Sequence, residues 1–463
     1  MYQYVRTFPY DRENGWSNEL NGVCHDDENW YFTQNGRLWK FPIGHNLNTS
    51  CKREDRANGI FMVNPFDTLR SIYPKRGKNS ILCCVHLGDI DHFTQNGVGY
   101  IFVPVIAEYV SPMGSSKKYS SISVFKACDL SFVSAQVIRR EDGKVFSTLG
   151  WLAINQKNGL LYTSDNEANS GNGDSKSKIH VYKIGDPSKA NPLTLHSTAI
   201  LADENGNTLK RGAMQGGCFD GDYHLYIMNG WWTQKASHNY SKDGKGGISV
   251  FKTSKNPAEG QTEMLYRLTR SYQTGGFQYQ FDKTGDEPQG LTYWDLDKDR
   301  RAPGIDGQLH AIMLSNTGTG DDDFYFKHYR RNFNAGFYRV TIKTGTMDGA
   351  GTDAGIFVTF HGARGVSNEC ELDSPGDDFE RGSTGYYLVE TVNNVGALDH
   401  IVIRSDNAGK YAEYYLESVT VQDMESGYYY DFTANLWLNK SRCSCTLTPT
   451  RKHRPRTGIK GRS

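Results

Sequence analysis

The sequence predicts an all-β chain built in two parts, and three observations carry that prediction. Before about residue 330 no long stretch repeats with the 3.6-residue period of an amphipathic helix; the region runs instead through five similar units of strand and turn. Beyond residue 333, apolar and polar residues alternate on both sides of acidic, glycine-rich loops. The composition agrees, with 13% aromatic residues, 28 Tyr and 49 Gly, and 463 residues are too many for one ordinary core.

In the first part each unit opens on a glycine at the start of an inner strand, at Gly22, Gly88, Gly150, Gly216 and Gly290, separated by 66, 62, 66 and 74 residues. A tight turn, a Tyr/Ile-rich strand and a polar loop follow. Each unit then reaches a strand ending in aromatic-Lys: Trp39-Lys40, Phe125-Lys126, Tyr182-Lys183, Phe251-Lys252 and Phe326-Lys327. Fourth strands are expected at Thr68 to Tyr73, Ala135 to Arg140, Thr194 to Leu201 and Met264 to Tyr272. The fifth unit lacks one, and Tyr2 to Phe8 has the alternation to supply it from the N-terminus. Five four-stranded units over residues 1–330 read as a five-bladed β-propeller, with the borrowed strand removing an open sheet edge.

Inner strands of a propeller direct polar side chains toward the central channel. The densest run is His86-x-x-Asp89-x-Asp91-His92, and side-chain alternation predicts Asp89 and Asp91 on the channel face with His92 between sheets. Asp89, Asp91, His92 and Glu287 are the catalytic candidates; hydrogen bonds between blades are the plainer role for the same residues. Asp165 and Glu167 with Glu287 could form a carboxylate pair across the channel, and Trp231-Trp232 could stack on a sugar. Asp295 to Asp299 starts like a calcium loop but has Arg300 where the turn needs glycine, so an acidic hairpin loop is expected. Gly-x-Ser-x-Gly, His-Glu-x-x-His and phosphate-binding glycine motifs are absent, which removes the hydrolase, zinc-protease and nucleotide-binding classes they mark.

In the second part Tyr338, Val340 and Ile342 precede the loop Gly345 to Gly355, and Ile356, Val358 and Phe360 follow it. A second alternating run, Leu398 to Arg404, ends in Ser405-Asp406-Asn407-Ala408-Gly409, and another strand begins near Tyr414. Two such loops at one edge of a sandwich would offer the hard oxygen ligands that calcium prefers, although acidic tight turns share the same composition. The order strand, Gly349-Ala350-Gly351-Thr352-Asp353-Ala354, strand, Phe379-Glu380-Arg381-Gly382-Ser383-Thr384, Gly396-Ala397-Leu398, Asp406-Asn407 resembles the PLAT (lipoxygenase-homology, LH2) domain over residues 333–438. The resemblance implies an eight-stranded β-sandwich that docks on lipid or on partner proteins. It also implies calcium in the loops, matched here by Asp348, Gly349, Gly351, Asp353, Asp406 and Asn407.

Charges cancel at 52 against 52, but residues 440–463 hold eight Lys/Arg and no Asp/Glu, so the body is acidic and residues 439–463 read as a basic, disordered tail. No aromatic residues interleave the tail's charges, and a nucleic-acid role is not expected. Nine cysteines without regular spacing do not form a disulfide framework; Cys24 and Cys51 could pair, but buried free thiols are expected. No signal peptide or membrane-spanning run is visible, so a soluble or peripheral membrane protein is expected. The sequence therefore points to a binding and targeting protein: a calcium-assisted sandwich docks on lipid or a protein partner, and a propeller recognises a carbohydrate or protein ligand. Its rival is a hydrolase or lyase with an active site in the channel.

Overall fold

The structure, a computed structural model, describes residues 2–10, 15–66, 81–110, 116–146, 148–165, 178–201, 214–221, 223–229, 247–253, 260–268, 286–315, 323–331, 334–373 and 377–454. Among these, strands dominate and Arg56–Asn58 is a single 3-10 turn. Among the described residues no helix is long and apolar enough to cross a membrane. The chain divides into two compact units, Tyr2–Arg331 and Asn332–Ser463.

The first unit contains four sheets. Leu20–His25, Asn29–Gln34, Arg37–Pro42 and Phe61–Val63 form the first, in that order. In the second, Val98–Val110 pairs on one side with Ile81–Leu87 and Asp91–Gln95, and on the other with Ser116–Lys126, which is followed by Phe132–Val137. The third is an eight-stranded sheet holding Leu152–Asn155, Leu160–Thr163, Lys178–Ile184 and Leu193–Leu201. It continues through Gly260–Leu268, Gly247–Lys252, His224–Asn229 and Met214–Phe219. Its middle is a parallel pairing of only Ala199 to Leu201 with Gly260 to Thr262, so two four-stranded units meet edge to edge. The last sheet runs Asp286–Tyr293, Leu309–Ser315, Asp323–Arg331 and then the N-terminal strand Tyr2–Tyr10, with Tyr2 opposite Arg331.

All five aromatic-Lys segments lie on third strands. The first unit's fourth strand is Phe61–Val63 rather than the expected Thr68 to Tyr73, which lies outside the described residues. Trp231-Trp232, Glu167 and the end of the expected strand from Met264 also lie outside them.

The strands that carry the unit-opening glycines crowd together. A methyl group on Gly22 would sit 2.5 Å from Asp89 Cα, and one on Gly290 2.7 Å from Gly22 Cα. These backbones touch where no side chain fits, which is the physical reason for glycine at both positions. Apolar layers separate successive sheets. Trp30, Trp39, Trp294, Phe324 and Phe326 join the first to the last; Tyr31, Leu38, Ile101 and Phe125 join the first to the second; Phe102, Ile154 and Leu161 join the second to the third. Cys24 and Cys51 are buried free thiols.

The second unit is a sandwich. One sheet runs Thr384–Thr391, Gly336–Thr344, Tyr414–Asp423, Tyr429–Leu438 and Arg451–His453. The other runs Gly365–Val366, Ile356–Gly362, Leu398–Ser405 and Ser444–Leu447, with Cys370–Glu371 also paired to Ile356–Gly362. Tyr338, Val340, Ile342, Ile356, Val358 and Phe360 are all buried between the sheets, as the alternation requires. Five strands a side exceed the expected eight. Part of the excess corrects the tail: Ser444–Leu447 pairs with Ile401 to Arg404, and Arg451–His453 pairs with Tyr429 to Asp431. Ladder hydrogen bonds thus order residues 439–454, where net charge alone suggested disorder.

Candidate functional site

Three loops of the sandwich gather at one end. Gly345 to Gly355 meets Phe379 to Ser383 through Gly382 N–H to Gly345 O at 2.9 Å, and meets the segment 405–415 through Asp353 N–H to Tyr411 O at 3.1 Å and Tyr415 N–H to Ala350 O at 3.0 Å. The six residues matched to calcium ligands fall here but differ in what they offer. Asp406 Oδ1 accepts the N–H groups of Gly355 at 3.0 Å and Ala408 at 2.8 Å, which fixes its loop. Asn407 takes the left-handed conformation at φ 54°, and its Oδ1 is buried with no hydrogen-bond partner. Asp353 is exposed, and its carboxylate has none of the bonds that hold Asp406. Gly409 packs against it, so closely that a methyl there would lie 3.0 Å from Asp353 Cβ.

Asp348 differs: its carboxylate pairs with Arg381 and its side chain is 94% exposed. Gly349 turns at φ 76°, and Gly351 lies against the backbone of Phe379 to Arg381. Among the described residues no group of three or more His, Cys, Asp or Glu is placed to hold a metal. A cation held here would therefore depend on amide and carbonyl oxygens as well as carboxylates, a donor set that calcium accepts. A buried amide oxygen without a donor fits that role, because leaving it unpaired costs free energy.

The first unit holds a cavity of about 690 Å³ at the ends of its crowded strands, lined by residues of every sheet. Asp91, His92, His25, Asp26 and Asp220 reach it. Most of these groups are already engaged. Asp26 accepts Tyr31 Oη at 2.6 Å and the N–H groups of Glu28 and Asn29, which outweigh its burial and hold it below the usual carboxylate range. His25 has a carbonyl oxygen at each ring nitrogen and stacks on Trp294 at 4.3 Å; burial lowers its pKa. Asp220 holds His224 Nδ1 at 2.7 Å and Arg331 Nη1 at 3.3 Å. Asp91 accepts N–H from Ile154 at 2.6 Å and His92 at 2.7 Å, yet burial pushes its carboxyl up to about 7. The His92 ring lies 3.4 Å from Thr94 Oγ1 through Nε2, and burial takes it down to about 4 against the pull of Asp26. Burial thus favours the neutral form of both groups.

Asp89 and Asp91 differ in their surroundings, and Asp89 takes the plainer role of hydrogen bonding between units. Asp89 is fully buried and is not among the residues lining this cavity: Oδ1 accepts N–H from Val23 and Ile90, and Oδ2 from Gly217 and Leu291, at 2.9 to 3.1 Å. Burial raises its pKa against the pull of those N–H groups. It precedes the regular strand, which starts at Asp91, so strand alternation does not relate the two carboxylates. Glu287 accepts a hydrogen bond from Gln215 at the start of Asp286–Tyr293, whose other end lines the cavity. Of the four catalytic candidates, Asp91 and His92 line the cavity. Sequence reasoning missed His25, Asp26 and Asp220, which stand at the C-terminal ends of inner strands rather than beside their glycines. In the loop after Trp294, Asp297 pairs with Arg330 and Asp299 with Arg301, so the acidic hairpin is neutralised by arginines.

Comparison with known proteins locates the second unit. The human Lipoxygenase homology domain-containing protein 1 is 38% identical over 146 residues, covering 31% of this chain and 7% of that protein. The human Polycystin family receptor for egg jelly is 28% identical over 151 residues, covering 32% and 6%. The chain thus spans less than a tenth of the length of these relatives. Among solved structures, coral 8R-lipoxygenase matches 24% of this chain and 17% of its own at 30% identity and a TM-score of 0.23. The PLAT/LH2 domain family matches residues 338–450, ending beyond the strand Ser444–Leu447. Residues 338–450 are a PLAT/LH2 domain.

Proposed function

We propose that this is a binding and targeting protein whose PLAT/LH2 domain docks on a lipid surface or a protein partner with calcium in its end loops. In this reading the four sheets of the first unit are five blades of a propeller, the eight-stranded sheet counting as two, and its cavity receives a carbohydrate or protein ligand. The observation that carries the calcium part is the buried, partnerless Asn407 Oδ1 in the loop whose Gly409 packs against the exposed Asp353. Asp353, Asp406 and Asn407 would hold the ion, and Gly349 and Gly351 let the loop turn close to it. Bound calcium would supply positive charge at a surface otherwise rich in carboxylates. Asp348, held by Arg381, contributes less.

Calcium that binds only the folded domain raises its melting temperature by mass action, about 2.7 kcal/mol at a hundredfold excess over Kd. The full chain should melt several degrees higher in millimolar calcium than in chelator, and Asp353→Ala should remove most of that rise while Asp348→Ala keeps it. Melting that ignores calcium overturns the proposal.

A second reading, a hydrolase or lyase, draws on Asp91 and His92 in the cavity, where a titrating carboxyl and a neutral imidazole are the components of acid and base catalysis. Turnover of a glycan that disappears in His92→Ala, with the fold intact by circular dichroism, would select it.

A further inference from the structure

The chain end that ordered itself onto the sandwich carries a feature the calcium loops do not explain. Arg451–His453 is an edge strand beside Tyr429 to Asp431, and Arg451, Lys452 and Arg454 are exposed. Two of these cations lie on aromatic rings: Lys452 Nζ is 4.6 Å from the centre of Tyr428 and 5.2 Å from that of Tyr430, and Arg454 Cζ is 4.3 Å from Tyr428. His453 stacks on Tyr429 at 5.6 Å. Of the acids nearby, Asp431 is engaged by His453 Nε2 at 3.0 Å and by Thr420 Oγ1 at 3.0 Å, Asp423 is buried and accepts the N–H groups of Glu425 and Ser426, and the exposed Glu425 accepts a hydrogen bond from Asn394. Residues 455–463, outside the described part, add Arg456, Lys460 and Arg462 and no acidic residue.

This surface stands at the end of the sandwich opposite the calcium loops. Tyr414, beside those loops, pairs with Leu438, whereas Gln422 pairs with Tyr429 and Tyr429 with His453. At the rise of a strand the two ends of Tyr429–Leu438 are roughly 30 Å apart.

We propose that the strand Arg451–Arg454 with Tyr428 to Tyr430 is a calcium-independent contact for anionic lipid headgroups; the choice of lipid rests on the docking role proposed above. Positive charge concentrated on an otherwise acidic chain is complementary to a negative bilayer surface, and tyrosine suits the boundary between water and acyl chains. Stacking of nucleic-acid bases fits less well, since the face of Tyr428 is already covered by the chain's own Lys452 and Arg454.

The test is co-sedimentation of the full chain with phosphatidylcholine vesicles, with and without phosphatidylserine, in calcium and in chelator. The expected result is binding to the phosphatidylserine vesicles in chelator that weakens with salt, falls at least tenfold in Lys452→Glu/Arg454→Glu, and is unchanged in Asp353→Ala. Melting of each variant checks that the fold survives. Vesicle binding that survives the charge reversal overturns the patch and leaves lipid docking standing, as does binding seen only in calcium and lost in Asp353→Ala. No binding to any vesicle, with or without calcium, overturns the lipid reading itself. Binding to a polyglutamate peptide but to no vesicle would replace the membrane with an acidic protein.

Discussion

Asp91 is the residue whose chemistry most needs measuring. Its carboxyl is pushed up to about 7 by burial, while in the unfolded chain it would titrate near 4. Between those values the folded state holds a proton that the unfolded state has lost, so this contribution to stability is complete below about pH 4 and disappears as pH rises through 7. Because Asp91 is half-buried at the cavity wall, solvent screening holds this contribution to the order of 1 kcal/mol. Asp91→Asn does not titrate, so its melting temperature relative to wild type should climb between pH 5 and pH 8. A difference that stays flat across that range would show that Asp91 is ionised throughout. Sequence alone singled out Asp89, Asp91, His92 and Glu287, and of these Asp91 and His92 line the cavity. Side-chain alternation holds along Asp91–Gln95, and Asp89 lies two residues before that strand. Asn407 was legible as a turn residue; that its amide oxygen would be buried without a donor was not, because this depends on how three separate loops close.

Among the elements, the N-terminal strand bears the clearest test. Tyr2–Tyr10 pairs along Asp323–Arg331, Tyr2 Oη meets Tyr226 Oη at 2.9 Å, and the carbonyl of Phe8 meets His328 Nε2 at 2.6 Å. Removing residues 1–10 would strip this ladder and leave Asp323–Arg331 as an open edge, so the truncated chain should aggregate or lose cooperative unfolding. A truncation that melts as sharply as the full chain, at the same temperature, would detach this strand from the stability of the unit. Strands were readable in the sequence because aromatic-Lys and glycine recur at regular intervals. The merging of two units into an eight-stranded sheet was not, since a parallel contact of three residue pairs leaves no pattern to find. The same holds for Arg451–His453: pairing along the exposed edge of Tyr429–Leu438 decided against the disorder that charge suggested.

At the scale of the molecule, the first unit is held at its centre by one carboxylate. Asp89→Ala would leave the N–H groups of Val23, Gly217 and Leu291 buried without acceptors, at about 1–3 kcal/mol each, so the variant should lose more than 4 kcal/mol of stability by denaturant titration. A loss under 1 kcal/mol would mean that water replaces the carboxylate. The three strands Asp89 ties lie 66, 128 and 202 residues away along the chain. That spacing has a consequence in time. A nascent chain that has just emerged with residue 89 waits on the order of ten to forty seconds for residue 291 to leave the ribosome. Until then its carboxylate must remain in water, with the glycine strands that will surround it lying open. Early hydrophobic layers between neighbouring sheets can form in sequence, but the centre can close only last, and whatever shields nascent strands in the cell must cover this interval.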